Sequence, residues 1–392
     1  MDTNGLTVQF FRQPRYYDSF SCIGGKCPMS CCCEWRVDWT KEEMEKLKNA
    51  ECSENLKSIM ADAFEENGNI YKIKLNDQKK CPFLTEDMLC SVQKELGEEY
   101  LSRTCRYYPR KSIVSGNTVL NYCNLSCCRV MDVLCSDKDC MILENSRSRS
   151  KKIWKARLDT ETDLINHPEL KYRKQLFEFF YELIEDDSRS IETSVILGAL
   201  AAQSLTNVIQ KGAYDRIPEY IKDIKKQIEN PEQTEKLEAF KPKPEIRVGF
   251  DIRLEHLIVK SSMYGYIIEN GNLSLDKFLR GEEKFYQDYA DRPFALRNIA
   301  LNLMLECNMP FRDLKFNLFE NYCYFVAAVS AIKYVAASIY ARGGNDPDNN
   351  FKIASAYVSR SFSHNDSQVG IVIKLLKIFN CTSPAYISTI IK

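Results

Sequence analysis

The apolar positions of this chain change their period part of the way along. From about residue 151 onward they recur every three and four residues. Leu176, Phe179, Phe180, Leu183 and Ile184 fall on one helical stripe. The same spacing predicts helices over 217–229, 254–270, 275–289 and 297–306. Residues 193–210 and 319–341 are apolar almost throughout, which predicts helices buried on all sides. Gly343-Gly344 ends the second of these, and 354–362 and 367–379 read as the closing helices. Pro242 and Pro244 forbid a helix over 240–250.

The first third lacks this regularity. Thr40 followed by Glu43 reads as a capping box that opens a helix over 41–49. A second helix is expected over 53–66 and a third over 92–101. Residues 69–75 alternate imperfectly and read as a short strand. Residues 119–133 are expected to end in a helix. Residues 1–21 are rich in aromatics (Phe10, Phe11, Tyr16, Tyr17, Phe20) and read as an extended arm. No repeat with a period near 34 or 40 residues is present.

Composition narrows the class. With 392 residues and 44% hydrophobic content, the chain can bury a sizeable core and form two domains. Lys+Arg and Asp+Glu both number 54, so no global charge draws it to nucleic acid or to an anionic membrane. Residues 146–157 are basic and serine-rich, but stacking aromatics are sparse there beyond Trp154. The run reads as a solvated linker, and no nucleic-acid partner is expected. Thr, Ser, Gln and Asn interrupt 193–210, and Lys333 sits within the other apolar run. Neither is expected to insert in a membrane. Residues 1–15 lack a basic segment followed by an apolar one, so a cytoplasmic location is expected.

The cysteines change the picture most. Of 17, 14 lie between Cys22 and Cys140, and Cys22, Cys27, Cys31, Cys32 and Cys33 fall within twelve positions. Buried cysteines that serve only as small apolar side chains are scattered. Thiols this dense, with glycine and proline between them, suit a loop folded around a metal ion or an iron–sulfur cluster. Adjacent cysteines make a poor disulfide framework. The paired Cys-x2-Cys knuckles of zinc sites are absent around 22–33. Further thiols arrive from Cys81, Cys90, Cys105 and Cys127, so a bound metal would staple distant segments and contribute to folding. The expected fold is mainly α. A cysteine-rich metal-binding N-terminal domain with little β (1–145) precedes an all-helical C-terminal domain (146–392).

These residues resemble the flagellin lysine N-methylase family. The likeness begins with Cys22-Ile-Gly-x-x-Cys27-x-x-x-Cys31-Cys32-x-x-Trp35 and continues through Cys81-x-Phe83-Leu84, Leu89-Cys90 and Gly97. Thr104-Cys105-Arg106-x-Tyr108-Pro109-Arg110 and Leu125-Ser126-Cys127 extend it. Glu320-Asn321-Tyr322 and Ser359-Arg360-Ser361-Phe362-Ser363-His364-Asn365 carry it into the C-terminal half. The cysteine part is shared with a wider family described as zinc- or iron-chelating. The resemblance implies methyl transfer from S-adenosylmethionine to lysine amines of flagellin, and a [4Fe–4S] centre, with zinc as the alternative. The ligand candidates it implies are Cys22, Cys27, Cys31, Cys32, Cys81, Cys90, Cys105 and Cys127. Eight exceed the four thiolates that one cubane takes. Cys33, Cys123 and Cys128 are alternatives, and Cys52, Cys135 and Cys140 are incidental.

Two common signatures of methyl-donor enzymes are missing. No Gly-x-Gly-x-x-Gly follows an apolar strand. Cys27-x3-Cys31 and Cys123-x3-Cys127 begin a radical-type Cys-x3-Cys-x2-Cys motif, but Glu34 and Val130 occupy the third position. Lysine methylation needs a neutral amine, so a base or polar lining is required; Tyr107, Tyr108, Glu34 and Glu320 are the candidates. Arg106 and Arg110 are candidates to hold a cofactor carboxylate or offset thiolate charge. His167, His256 and His364 are dispersed and read as non-catalytic. The competing readings are a redox-sensing or metal-binding protein with a helical docking half, and an enzyme in which zinc is only a structural staple.

Overall fold

The chain begins with a strand that other strands enclose. In this computed structural model, residues 10–35, 37–115, 118–146, 159–243, 268–269, 272–363 and 367–392 are described. β1 (Phe10–Pro14) leads through the cysteine loop to β2 (Asp38–Thr40), α1 (Lys41–Lys48) and α2 (Glu54–Asp62). Then follow β3 (Phe64–Asn67), β4 (Ile70–Ile73), α3 (Ser91–Leu96), α4 (Arg103–Tyr107), β5 (Arg110–Ser115), β6 (Thr118–Cys123), α5 (Cys128–Ser136) and β7 (Leu143–Asn145). One sheet has the order β5-β6-β1-β7, the other β2-β4-β3. Of the arm expected over 1–21, residues 1–9 lie outside the described residues and 10–14 are an interior strand: Phe11 registers with Val119 on β6, and Arg12 with both Leu120 and Asn145.

Three differences from the sequence reading have local causes. The helix expected over 53–66 stops at Asp62, because Phe64 pairs with Ile73 across the hairpin and packs edge-on against Trp39. The helix expected over 92–101 ends at Leu96, where Gly97 takes φ +92°, a conformation that side chains resist. Within 119–133 a strand precedes the helix. β6 is buried at every position, so it shows none of the alternation that marks a half-exposed strand. The capping box at Thr40 and Glu43 forms as expected, each side chain bonding the other's backbone N–H.

Among its described residues the second half is helical apart from a short hairpin, β8 (Ile268–Glu269) with β9 (Asn272–Leu273). Its helices are α6 (Glu161–Asn166), α7 (Arg173–Glu185), α8 (Ile191–Gln210), α9 (Ile217–Ile228), α10 (Pro231–Ala239), α11 (Leu275–Asp288), α12 (Phe294–Glu306), α13 (Leu318–Ala341), α14 (Pro347–Ser363), α15 (Ser367–Ile378) and α16 (Pro384–Ile391). The mainly α character is as expected. α14 begins earlier than the apolar spacing suggested, and α16 was not anticipated, although Ser383-Pro384 is a helix-start signal and Ser383 accepts from the Tyr386 N–H. The basic run over 147–157, His256 and His364 lie outside the described residues. So does the helix expected over 254–270, except 268–269, which are strand.

α13 packs against α8, α11, α14, α15 and α16. It is long and apolar enough to cross a bilayer, yet 94% of its apolar window is buried inside the protein, as for a core helix. Lys333, within it, is buried and paired with Glu192 of α8 at 2.9 Å. Burial alone would push the Glu192 carboxyl up; the Lys333 ammonium outweighs this and holds it below the ordinary carboxylate value. The large core joins these helices to Tyr16, Phe20, Leu120, Tyr122, Leu125 and Met131 from the first third. A smaller core gathers Trp39, Leu47, Leu56, Phe83, Val92 and Leu101. The cysteine loop lies in sequence between segments of the two.

Candidate functional site

The segment from Cys22 to Cys33 is irregular, with one short 3-10 turn at Gly24–Lys26. It closes onto the loop that carries Cys81 and Cys90. The Cys81 N–H donates to the Cys32 carbonyl at 2.8 Å, and Cys33 bridges to Lys80. The contact is tight at Gly25, where a Cβ would overlap the Asp87 carbonyl oxygen. Gly25→Ala is therefore expected to lever the two loops apart and cost about 1–3 kcal/mol. Urea unfolding measures this, and an unchanged midpoint would mean the contact has slack.

Cys81 and Cys90 sit on one turn: Leu84 bridges to Cys90, and the Ser91 N–H donates to the Phe83 carbonyl at 2.8 Å. Cys105 lies in the first turn of α4, where Ser102 accepts from its N–H at 3.1 Å. Cys127 is the residue before α5 and Cys128 its first. The fold brings these segments together. Cys32 interacts electrostatically with Cys27, Cys31, Cys81 and Cys105, and Cys90 interacts with Cys32. Cys127 interacts with Cys22, Cys27 and Cys31. Each of the eight ligand candidates thus lies within electrostatic range of at least one other. Of the alternatives, Cys128 joins through a thiol hydrogen bond to Cys27, and Cys123 is buried in β6 within reach of Cys127. Cys135 and Cys140 are buried in the large core, and Cys52 packs against the small one.

Two of these thiols favour the anion. The Cys128 hydrogen bond holds Cys27 down to about 6, against the opposing effect of burial. The Cys31 hydrogen bond does the same for Cys32, to about 7. Arg360 of α14 adds positive potential at Cys27. All 17 cysteines are free thiols. Among the described residues, no three Cys, His, Asp or Glu side chains are gathered into ligating geometry. In kind, the donor set suits a soft, thiolate-binding metal: several sulfurs from separate segments, two of them inclined to ionise.

The other candidates are placed as follows. Glu34 is exposed, with φ +61°, and its N–H donates to the Lys79 carbonyl at 2.7 Å. Glu320 completes the capping box of α13 and pairs with Lys377. Arg106 gathers the carbonyls of Glu98, Glu99 and Leu101. Arg110 donates to the Phe20 carbonyl at 2.8 Å and lies over the Phe20 and Tyr17 rings. Tyr107 ends α4.

Tyr108 is the candidate that meets the cysteine face. Its ring stands edge-on to Trp35 at 4.9 Å, and it interacts with Cys31, Cys127 and Arg360. Burial, reinforced by Cys127, pushes its phenol well above the ordinary value, so it is neutral at physiological pH. Its hydrogen-bond polarity follows from its neighbours. The Ser126 N–H donates to Asn124 Oδ1 at 3.0 Å, which fixes that atom as an acceptor. The Ser126 hydroxyl also bonds Asn124 Oδ1 and must donate its one hydrogen there. The 3.0 Å contact between Tyr108 and Ser126 is then donated by Tyr108. The phenol oxygen keeps its lone pairs to accept from a donor beside the thiols.

The sequence reading missed what supports this face. Asn298, Asn302 and Glu306, spaced four apart, form a polar stripe on buried α12. Asn298 Nδ2 donates to the Leu134 and Asp137 carbonyls at the end of α5. Asn302 Nδ2 donates to the Cys123 carbonyl at 3.0 Å, and Asn302 Oδ1 accepts from the Tyr16 hydroxyl at 2.8 Å. Glu306 accepts from the Leu125 N–H, and from Ser359 of α14 at 2.8 Å. Three polar residues at that spacing, in a helix apolar elsewhere except for Arg297, were the available signal. Ser359 and Arg360 belong to the C-terminal segment quoted above; the first anchors the turn before Cys127 and the second acts on Cys27.

Comparison with known proteins bears on both halves. The profile of the FliB lysine N-methylase C-terminal domain matches residues 177–390. A lysine-N-methylase of Salmonella choleraesuis is 26% identical over 384 residues, covering 90% of this chain and 92% of its own. The lysine-N-methylase of Salmonella typhimurium is 34% identical over 136 residues, 33% of this chain and 34% of its own. The flagellar biosynthetic protein FliU of Salmonella muenchen is 33% identical over 144 residues, 36% of this chain and 85% of its own. No solved structure matches. With more than half its residues under one family profile, and that profile covering the helices that buttress the cysteine face, the chain belongs to the FliB lysine N-methylase family.

Proposed function

We propose that this protein methylates lysine side chains of flagellin, with S-adenosylmethionine as donor and an iron–sulfur centre held by its N-terminal thiolates. Family membership supports the reaction, and the likeness to a flagellar biosynthetic protein supports the substrate. The observation that supports the site is that thiols from Cys22–Cys33, Cys81, Cys90, Cys105 and Cys127 lie within electrostatic range of one another, with Tyr108 and Arg360 in range as well.

The residues proposed to hold the metal are drawn from Cys22, Cys27, Cys31, Cys32, Cys81, Cys90, Cys105 and Cys127, with Cys128 hydrogen-bonded beside them. The methyl donor supplies an electrophilic sulfonium methyl group. The chain's own task is to present a neutral amine, since an ammonium has no lone pair for attack. Tyr108, kept neutral by burial, serves as a hydrogen-bond acceptor that orients the amine and does not act as a phenolate base. Arg106 and Arg110 spend hydrogen bonds on backbone carbonyls, so no donor-binding role is assigned to them.

The hydrogen-bonded thiol pairs Cys27–Cys128 and Cys31–Cys32 favour a second, redox-sensing reading. Anaerobic purification followed by iron analysis and labelled-methyl transfer to flagellin separates the two. The enzyme reading expects bound iron and label on flagellin lysines. Iron without transfer, given intact donor and substrate, favours the sensor; zinc in place of iron leaves the thiols a structural staple.

A further inference from the structure

Arg360 projects from a firmly seated turn of α14. The preceding residue, Ser359, is fully buried and shares its hydroxyl hydrogen between Asn124 Oδ1 at 3.0 Å and Glu306 Oε2 at 2.8 Å. Asn124 Oδ1 also takes the Ser126 N–H, and Ser126 is the hydrogen-bond partner of Tyr108. α14 and Tyr108 are therefore tied to one short turn. Arg360 is half-buried, with no hydrogen-bond or ion-pair partner among the described residues, and none of its nitrogens is sealed from solvent. It acts electrostatically on Cys27, Cys128 and Tyr108. Other cations on these elements are engaged: Arg129 and Lys352 both pair with Asp132, and Arg110 donates to the Phe20 carbonyl. A guanidinium presents N–H donors in a planar fork that matches a carboxylate, and thiols are weak acceptors, so the fork of Arg360 is unfilled.

We propose that Arg360 receives the carboxylate of the methyl donor. The inference rests on the S-adenosylmethionine reading above and adds the residue that anchors the donor. In that reading Tyr108 orients the acceptor amine, so the sulfonium methyl has to arrive beside it. The donor's carboxylate hangs from the sulfonium on a short alkyl chain and has to come to rest nearby. Arg360 lies within electrostatic range of Tyr108, on a helix fixed to the same turn. A bidentate bond there holds the unreactive tail and leaves the methyl group to face the amine, so that binding of a remote group orients the reacting one. A residue that only offset thiolate charge would not need the fork, and lysine would serve as well.

The test is calorimetric binding of S-adenosylhomocysteine and of its decarboxylated analogue to the anaerobically purified full chain, with iron measured on each sample. The wild-type protein is expected to bind the intact ligand about tenfold or more tightly than the analogue. Arg360→Gln is expected to weaken the intact ligand by about the same factor and leave the analogue unchanged, so that the two bind alike. Arg360→Lys, which keeps the charge without the fork, is expected to recover only part of the preference. A preference that survives in Arg360→Gln overturns the assignment. If iron falls in that variant while the preference stays, Arg360 only offsets thiolate charge. If flagellin binding weakens while the preference stays, its partner is an acidic side chain of the substrate. Full recovery by Arg360→Lys also overturns the bidentate contact. A wild-type protein that binds neither ligand overturns the donor reading itself, an outcome distinct from tight binding that ignores Arg360.

Discussion

On the proposed iron–sulfur reading, Cys32→Ser is expected to lower iron per chain by about tenfold or more after anaerobic purification. Among the thiols, Cys32 has the widest reach, toward Cys27, Cys31, Cys81, Cys90 and Cys105. It is also one of two inclined to ionise near neutrality, and only the thiolate is a strong ligand. Serine keeps the shape but is a hard oxygen donor with a far higher pKa. Loss of the metal would remove its share of folding energy, so the segments around Cys81 and Cys105 should also become protease-sensitive. Cys52→Ser is the control, since Cys52 packs against the small core. Full iron occupancy in Cys32→Ser would remove it from the ligand set.

Glu306→Ala should be the most destabilising change outside the cysteine face, by about 3–5 kcal/mol. Glu306 is 1% exposed and accepts from the Leu125 N–H, from Asn302 Nδ2 at 3.3 Å and from Ser359 at 2.8 Å. Alanine leaves those donors facing a void, and an unsatisfied buried donor costs more than a hydrogen bond gains. Glu306→Gln keeps an acceptor oxygen and the volume, and is expected to cost about 1–2 kcal/mol. The effect should spread to the site, because Leu125 is two residues before Cys127: the alanine variant should bind less iron even where it remains folded. Denaturant melts of both variants, with iron analysis at a temperature where each is native, check this. An alanine variant as stable as wild type would show that the Leu125 turn is held by something else.

Much of the helical half was legible because its signals are local. α7, α8, α9, α11, α12, α13 and α15 follow apolar spacing or apolar runs that a helix must bury. Thr40 with Glu43 marks α1 through a hydrogen-bond pair three residues apart. The strands were harder to read. β1 sits between β6 and β7, and its partners lie more than a hundred residues downstream, so nothing near Phe10–Pro14 announces a sheet. β6, buried on both faces, has no alternation to read.

By itself the sequence determined the helical order of the second half, the concentration of thiols in the first, and the motifs that tie the chain to its family. Only the tertiary structure decided which thiols come within range of one another, that Tyr108, kept neutral by burial, lies near Cys31 and Cys127, and that Glu306, 181 positions from Leu125, holds the turn leading to Cys127. The division has a physical origin. Helix periodicity and capping arise from forces acting within a few residues. How distant cysteine-bearing segments approach one another is fixed by buried hydrogen bonds and apolar packing between parts of the chain that no local pattern connects.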